Sequence, residues 1–286
     1  MRIPAFFSPR YAPAEEPLLA RLATSCELLQ RLDLIELHQA DPIAPAHLHG
    51  LHDATYLDAF LNGIEPLASR QGLPWSPAMR DATLAMLGGQ LQAAQLALSR
   101  PGPVMNIARG FHHAYPAGGS GFCPLNGLAL LAHTLPERRV LVLDCDEHGG
   151  NGTEEFAARL PNLFAISIFG TRFGCLGGTR SWAFHLSREA GFDAYSQALL
   201  NASLLIEEVQ PDLLVYQAGA DCHRADPKSQ LGLTTHELFR RDLFVFQMAR
   251  RLRLPTLFVV AGGYQQAERV ARLNANTVRA ARIAWR

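Results

Sequence analysis

Short apolar runs recur along the chain and alternate with longer segments of helical character. The runs are rich in Val, Ile, Leu and Phe and occur at five places: 104–107 (VMNI), 140–146 (VLVLDCD), 164–169 (FAISIF), 213–219 (LLVYQAG) and 256–263 (TLFVVAGG). None shows the strict alternation of a strand with one solvent face, so each is typical of a parallel strand covered on both sides.

Two helices stand out between these runs. Residues 83–100 are rich in Ala, Leu and Gln and stop before Pro101, and residues 234–253 begin with a capping box of Thr234 and Glu237. Strands that alternate with helices predict an α/β fold, a three-layer α/β/α sandwich around a central, mostly parallel sheet. No repeat, low-complexity tract or linker interrupts the pattern, so we expect one catalytic domain over 1–286.

Composition excludes several functional classes. The chain carries 26 basic and 26 acidic residues, and this balance argues against a protein that binds nucleic acid by neutralising phosphates. No run of 18 apolar residues is present, so we expect no membrane span. Five cysteines without a CxxC pair, and prolines near the start where a signal peptide would be apolar, favour a cytoplasmic protein. The sequence says nothing about the oligomeric state.

Polar chemistry begins where the run at 140–146 ends. Asp144, Asp146 and His148 alternate along the chain and therefore lie on one side of the strand end, before a glycine-rich turn. Two carboxylates and an imidazole in one place repel and lose hydration, and a divalent metal ion removes that cost. The alternative is a loop whose acids cap the next helix. It is less favoured because Asp144 lies inside an apolar strand.

The other strand ends carry further polar groups. Asp221 follows the run at 213–219, and with Asp146 and His148 it would complete a three-ligand site that leaves a position for water or substrate. His112 and His113 follow the run at 104–107, and Tyr264 follows the run at 256–263. Each feature alone is ordinary, as an N-cap, surface histidines or a half-buried tyrosine. Their coincidence at four strand ends predicts a metal-dependent active site there.

The segments that hold these residues resemble the histone deacetylase superfamily, which has the arginase/deacetylase fold. The similar segments are 110–132 (GFHHAYPAGGSGFCPLNGLALLA), 143–156 (LDCDEHGGNGTEEF), 216–234 (YQAGADCHRADPKSQLGLT) and 261–265 (AGGYQ), with weaker similarity at 6–13 and 51–60. Asn151 and Gln265 make the chain look most like the class IV, zinc-dependent branch and its bacterial relatives.

The resemblance implies roles for particular residues. A zinc ion, one per chain, would be bound by Asp146, His148 and Asp221. His113 would be the general base, His112 an electrostatic catalyst and Tyr264 the donor to the oxyanion.

The resemblance also implies surrounding groups. Asp144 would orient His112, and Asn151 would contact His113. Phe122 and Gly121 would line the substrate channel, with Phe173 and His185 as further candidates for its wall. A potassium ion would lie near Asp144 and Ser167.

The predicted function is hydrolysis of acyl-lysine in proteins or peptides by metal-activated water. Acetyl and longer fatty acyl groups are both open, and the class IV resemblance implies a preference for long chains. A first alternative is an acetylpolyamine or other small-molecule amidase of the same fold. A ureohydrolase with two manganese ions fits less well, because it needs more carboxylates. A non-catalytic metal-binding module is the remaining alternative.

Overall fold

Eight parallel strands form the centre of the protein, whose computed structural model describes residues 1–286. They are β1 (Ile3–Phe7), β2 (Ile35–Gln39), β3 (Pro103–Asn106), β4 (Val140–Asp144), β5 (Leu163–Phe169), β6 (Ser181–His185), β7 (Leu213–Gln217) and β8 (Thr256–Val259). The sheet order is β2-β1-β3-β8-β7-β4-β5-β6, and every neighbouring pair is parallel. The predicted α/β class is thereby confirmed, with a sheet that is wholly rather than mostly parallel.

Eight α-helices cover the sheet. They are α1 (Pro17–Arg31), α2 (Ala54–Asn62), α3 (Pro77–Ser99), α4 (Gly127–Thr134), α5 (Asn151–Arg159), α6 (Gly191–Val209), α7 (Thr235–Arg251) and α8 (Ala267–Ala284). Helices α1, α6, α7 and α8 pack in one series, and α3, α4 and α5 in another. All residues of the central strands β3, β4, β7 and β8 are buried between them.

Local sequence explains where the two predicted helices begin. In α7 the Thr234 side chain accepts from the Glu237 amide, and the Glu237 carboxylate accepts from the Thr234 amide, so the predicted capping box is present. The helix predicted from residue 83 begins earlier, at Pro77, because Ser76 caps it. No helix is both long and apolar enough to cross a membrane.

Three strands were not anticipated. In β2 and β6, at the two edges of the sheet, most residues are partly or fully exposed, so they lack a continuous apolar run. Strand β1 is fully buried but contains Pro4, which interrupts its pattern. The predicted runs at 140–146, 213–219 and 256–263 also extend beyond β4, β7 and β8, and their last residues form loops instead.

Candidate active site

The polar strand ends meet because of the order of the strands. β3, β8, β7 and β4 are consecutive neighbours in the middle of the sheet, although they are far apart in the chain. The loops that follow them all leave the same edge, since the strands are parallel. Ligands of such folds bind at the carboxyl ends of the strands, and the candidate residues lie there.

Three side chains at this edge face one point. The nearest ligand atoms of Asp146, His148 and Asp221 all lie within 4.8 Å of one another. Nδ1 of His148 is 3.2 Å from Oδ1 of Asp146 and 3.3 Å from Oδ2 of Asp221. A single ring nitrogen cannot satisfy both carboxylates, and the buried Oδ2 of Asp221 accepts no hydrogen bond. A buried carboxylate oxygen without a hydrogen-bond partner is what a metal ligand is expected to present.

The electrostatics of the group agree with this. Burial and the charge of Asp146 raise the pKa of Asp221 to about 6. Burial opposes the charged form of His148, but its hydrogen bond to Asp146 and the charges of Asp146 and Asp221 raise its pKa to about 10. One imidazole nitrogen and two carboxylates are a donor set that zinc accepts, and three ligands leave a position open. The residues therefore fit a zinc ion.

Glycine allows the chain to approach these carboxylates. Gly262, after β8, donates its amide to Oδ2 of Asp146 at 2.8 Å. A Cβ atom at Gly262 would overlap Oδ2 of Asp221 and Oδ2 of Asp146. Any larger residue here would push the two carboxylates out of place.

His112 forms a charged pair at the bottom of the site. Its Nδ1 lies 2.7 Å from Oδ2 of Asp144, which also accepts from Nε2 of Gln217 at 3.1 Å. Burial favours the neutral ring, but Asp144 and Asp146 together raise the pKa of His112. His112 therefore holds a proton more readily than a free imidazole does.

His113 has a neutral partner instead. Its Nδ1 lies 2.6 Å from Oδ1 of Asn151, and the amide nitrogen of Asn151 donates to the hydroxyl of Tyr115. An amide oxygen can only accept, so Nδ1 carries the proton and Nε2 holds the lone pair. Burial and the charge of His112 hold the pKa of His113 well below 6.5. Of the two histidines, this ring is the one with a free lone pair that could accept a proton.

Tyr264 lies beside the metal-binding group. Its ring centroid is 6.3 Å from that of His148, at a steep angle of 85°. Burial raises the pKa of Tyr264 to about 12, against the opposing charge of Arg109. The phenol therefore stays protonated and can donate at neutral pH.

Phenylalanines lie at the opening of the site. The ring of Phe173 is 4.1 Å from that of His113, and 42% of Phe173 is exposed. Gly121 has a φ of +50°, and a Cβ there would overlap the His113 ring, so glycine is required beside Phe122. His185, by contrast, hydrogen-bonds the carbonyl of Gly170 and stacks on Phe169. It contacts none of the candidate catalytic residues.

The predicted potassium position has two nearby groups. Ser167 is the register partner of Asp144 on the neighbouring strand, and its hydroxyl accepts from the Gly150 amide at 3.4 Å. The carboxylate of Asp144 is already engaged by His112, Gln217 and the Asp146 amide. A potassium ion here stays a prediction.

Several residues of the site escaped the sequence reasoning. Arg109 donates from Nη2 to the hydroxyl of Tyr264 at 3.2 Å, and Asp226 accepts from the Tyr264 amide at 2.6 Å. Arg21 places its cation 5.3 Å from the Tyr264 ring centroid. Lys228, which the sequence did offer as a loop residue after Asp221 that could contact substrate, places its ammonium 5.1 Å from the same centroid. Arg109 could have been found from the sequence, because a charged residue just after a buried strand is a signal of a functional site. Arg21 lies in an ordinary helical pattern and gave none.

Comparison with known proteins supports the resemblance. The family model described as "Histone deacetylase domain" matches residues 15–281 of this chain. An uncharacterized protein of Picosynechococcus sp. is 36% identical over 227 residues, covering 77% of this chain and 75% of that protein. Acetylpolyamine amidohydrolase 1 of Pseudomonas aeruginosa is 32% identical over 170 residues, covering 54% of this chain and 48% of that protein.

A solved structure has the same fold. The crystal structure of an acetylpolyamine aminohydrolase from Burkholderia pseudomallei superposes with a TM-score of 0.84. The match covers 97% of this chain and 98% of that chain at 21% sequence identity. At this identity the likeness establishes the fold alone.

Proposed function

Because this chain belongs to the histone deacetylase family, we propose that it is a zinc-dependent amidohydrolase that removes acyl groups from lysine side chains of proteins or peptides. The proposal rests on one observation. A neutral imidazole, three side chains that could bind a metal ion and a protonated phenol lie together at one edge of the sheet. These are the parts that amide hydrolysis requires.

Asp146, His148 and Asp221 would hold the zinc ion. When bound, zinc supplies Lewis acidity that polarises the acyl carbonyl and makes a water molecule more acidic. His113 and Tyr264 would lie beside the bound ion, since their ring centroids are 5.9 Å and 6.3 Å from that of His148.

His113 moves the proton in this proposal. Its Nε2 lone pair accepts a proton as water attacks the carbonyl, and the same nitrogen returns that proton to the departing lysine amine. A general base must be unprotonated to accept a proton, and burial and the charge of His112 hold the pKa of His113 well below 6.5. A carboxylate at position 151 would favour the imidazolium.

His112 and Tyr264 stabilise the charge that develops. His112 stays cationic because Asp144 accepts from its Nδ1, so it acts as a fixed positive charge. The Tyr264 hydroxyl donates to the oxyanion. One such donor is typically worth about 3–4 kcal/mol of the barrier.

Charge at the opening favours a peptide over a polyamine. The Lys228 ammonium lies 5.1 Å from the Tyr264 ring centroid and 5.7 Å from that of Phe122. A polyamine keeps cationic amines beyond its acylated end, so this exposed charge repels it, whereas a peptide need not be cationic there. An acetylpolyamine amidase remains the second candidate, because relatives carry that name.

Two further points belong to the proposal. Five free cysteines support a cytoplasmic location, where thiols stay reduced. A potassium ion near Asp144 and Ser167 would stabilise the strand end that carries the zinc ligands. The test is to dialyse zinc-loaded protein into potassium-free buffer and to measure whether its stability falls.

The substrate class is tested with the zinc-loaded protein and two substrates, an acetyl-lysine peptide and monoacetylputrescine. We expect kcat/KM to favour the peptide by about 10-fold or more, and Lys228→Glu to shift the ratio towards the polyamine. Lys228→Arg, which keeps the charge, is the matched control. Preference of the wild type for monoacetylputrescine would establish the second candidate, and cleavage of neither would leave a metal-binding module.

A further inference from the structure

Arg109 occupies the inner end of the candidate site. It lies three residues beyond β3 and is buried, with 5% of its surface exposed. Nη2 donates to the Tyr264 hydroxyl at 3.2 Å, whereas Nη1 is buried without a hydrogen-bond partner. No carboxylate forms a salt bridge with it. A buried, unpaired guanidinium is costly, so its presence here calls for an explanation.

The space beside Arg109 is small. A cavity of about 10 Å³ lies among Arg109, His112, Cys123, Asp146, Gln217 and Tyr264. That is about the room that one water molecule needs. Oε1 of Gln217, which also lines the cavity, has no hydrogen-bond partner. The cavity is thus both narrow and polar.

The direction of the substrate follows from the proposed mechanism. The lysine stem enters past Phe122 and Phe173 on the exposed side, and the carbonyl oxygen meets Tyr264. The rest of the acyl group must then point inwards, to the cavity that Arg109 bounds. A methyl group can replace a water there. A longer chain must displace the guanidinium, break its hydrogen bond to Tyr264 and lie against a charge.

We propose that Arg109 closes the inner end of the site and restricts the substrate to short acyl groups of acetyl size. The inference rests on the proposed function and names its substrate class more narrowly. The same contact makes Arg109 a positioning residue for Tyr264. Because the phenolic oxygen accepts from Arg109, its own proton is directed away from the guanidinium and is free for the oxyanion.

The test is a series of one peptide whose lysine carries acetyl, butyryl, octanoyl or myristoyl, assayed with zinc-loaded protein. We expect wild-type kcat/KM to fall by about 10-fold or more from acetyl to butyryl, the effect of one misfitted methylene or more. Arg109→Ala opens the cavity, so the octanoyl-to-acetyl ratio should rise at least about 10-fold even though acetyl turnover falls. Arg109→Met keeps most of the volume without the charge, and should retain the short-chain preference.

The outcomes are distinct. Wild-type protein that cleaves octanoyl or myristoyl as fast as acetyl overturns the length limit, while the proposed function stands. An unchanged ratio in Arg109→Ala assigns the limit to another residue and overturns the role of Arg109. If no acyl-lysine peptide of the series is cleaved, the proposed function itself fails. The wild-type series needs no variant, so the length limit is testable even if Arg109→Ala does not fold.

Discussion

Nδ1 of His113 lies 2.6 Å from Oδ1 of Asn151, whereas the adjacent His112 is paired with the carboxylate of Asp144 at 2.7 Å. Two neighbouring imidazoles thus have partners of different charge. The pKa of His112 is raised and that of His113 is lowered, so the two adjacent rings differ in how readily they take up a proton.

Asn151→Asp should move the pH dependence of catalysis. A carboxylate beside His113 raises the pKa of that ring, and the ring acts as a base only when it is neutral. As the pH falls, the variant should therefore lose activity at a higher pH than the wild type does. We expect the acidic limb of kcat/KM below pH 6.5 in the wild type, and about one pH unit or more higher in the variant. Asn201→Asp, the same change at an exposed position of α6, should leave the limb in place. An unmoved limb in Asn151→Asp would remove His113 from the role of base.

Tyr264→Phe should remove an oxyanion donor without disturbing the metal-binding group. We expect kcat to fall by about 10²–10³, the effect of losing one such donor, with one zinc still bound per chain. Turnover measured beside zinc content by atomic spectroscopy separates the two effects. Wild-type turnover in the variant would contradict the proposed mechanism.

Asp221→Asn should have opposite effects with and without metal. The change removes a zinc ligand, so zinc should no longer raise the melting temperature or support activity. In metal-free protein it also removes a buried charge that Asp146 repels, which should stabilise the fold by about 1–3 kcal/mol at pH 8. Thermal unfolding before and after chelation measures both. Asp58→Asn, at an exposed position of α2, should change neither. A metal-free variant less stable than the wild type would show that Asp221 serves another structural purpose.

Arg241→Met should destabilise the whole site. Arg241 is buried, pairs with Asp242 at 2.9 Å and donates to the carbonyls of Cys145 and Gly219 at 3.0 and 2.8 Å. It thereby ties α7 to the loops that carry Asp146 and Asp221. Loss of one partner of a buried ion pair lowers the free energy of unfolding by about 3–5 kcal/mol. Urea denaturation should show a loss of this size, and Arg240→Met, at the exposed neighbouring position, should cost far less. Equal losses in the two variants would contradict the argument.

The fold class was accessible from the sequence because buried parallel strands leave continuous apolar runs. The central strands β3, β4, β7 and β8 were found in this way. The edge strands β2 and β6 were not, because exposure on the sheet edge dilutes the apolar pattern that periodicity detects. Their place in the sheet depends on pairing with β1 and β5, which is a long-range property.

Within the site, the sequence by itself determined the residues whose chemistry is written into short motifs. Asp144, Asp146 and His148 share a strand end, and the motif around His112 and His113 is specific enough to suggest their partners. Those spacings are local, and a strand or tight turn has only a few ways to present them.

Only the tertiary structure decided the contacts between motifs. Arg109 meets Tyr264 across 155 residues of chain, because β3 and β8 are neighbours in the sheet. Loop conformation likewise brings Phe173 against His113, whereas His185 hydrogen-bonds the carbonyl of Gly170 away from the site. Strand order and loop conformation follow from the packing of the whole core. No local pattern could therefore show that a guanidinium closes the inner end of the site.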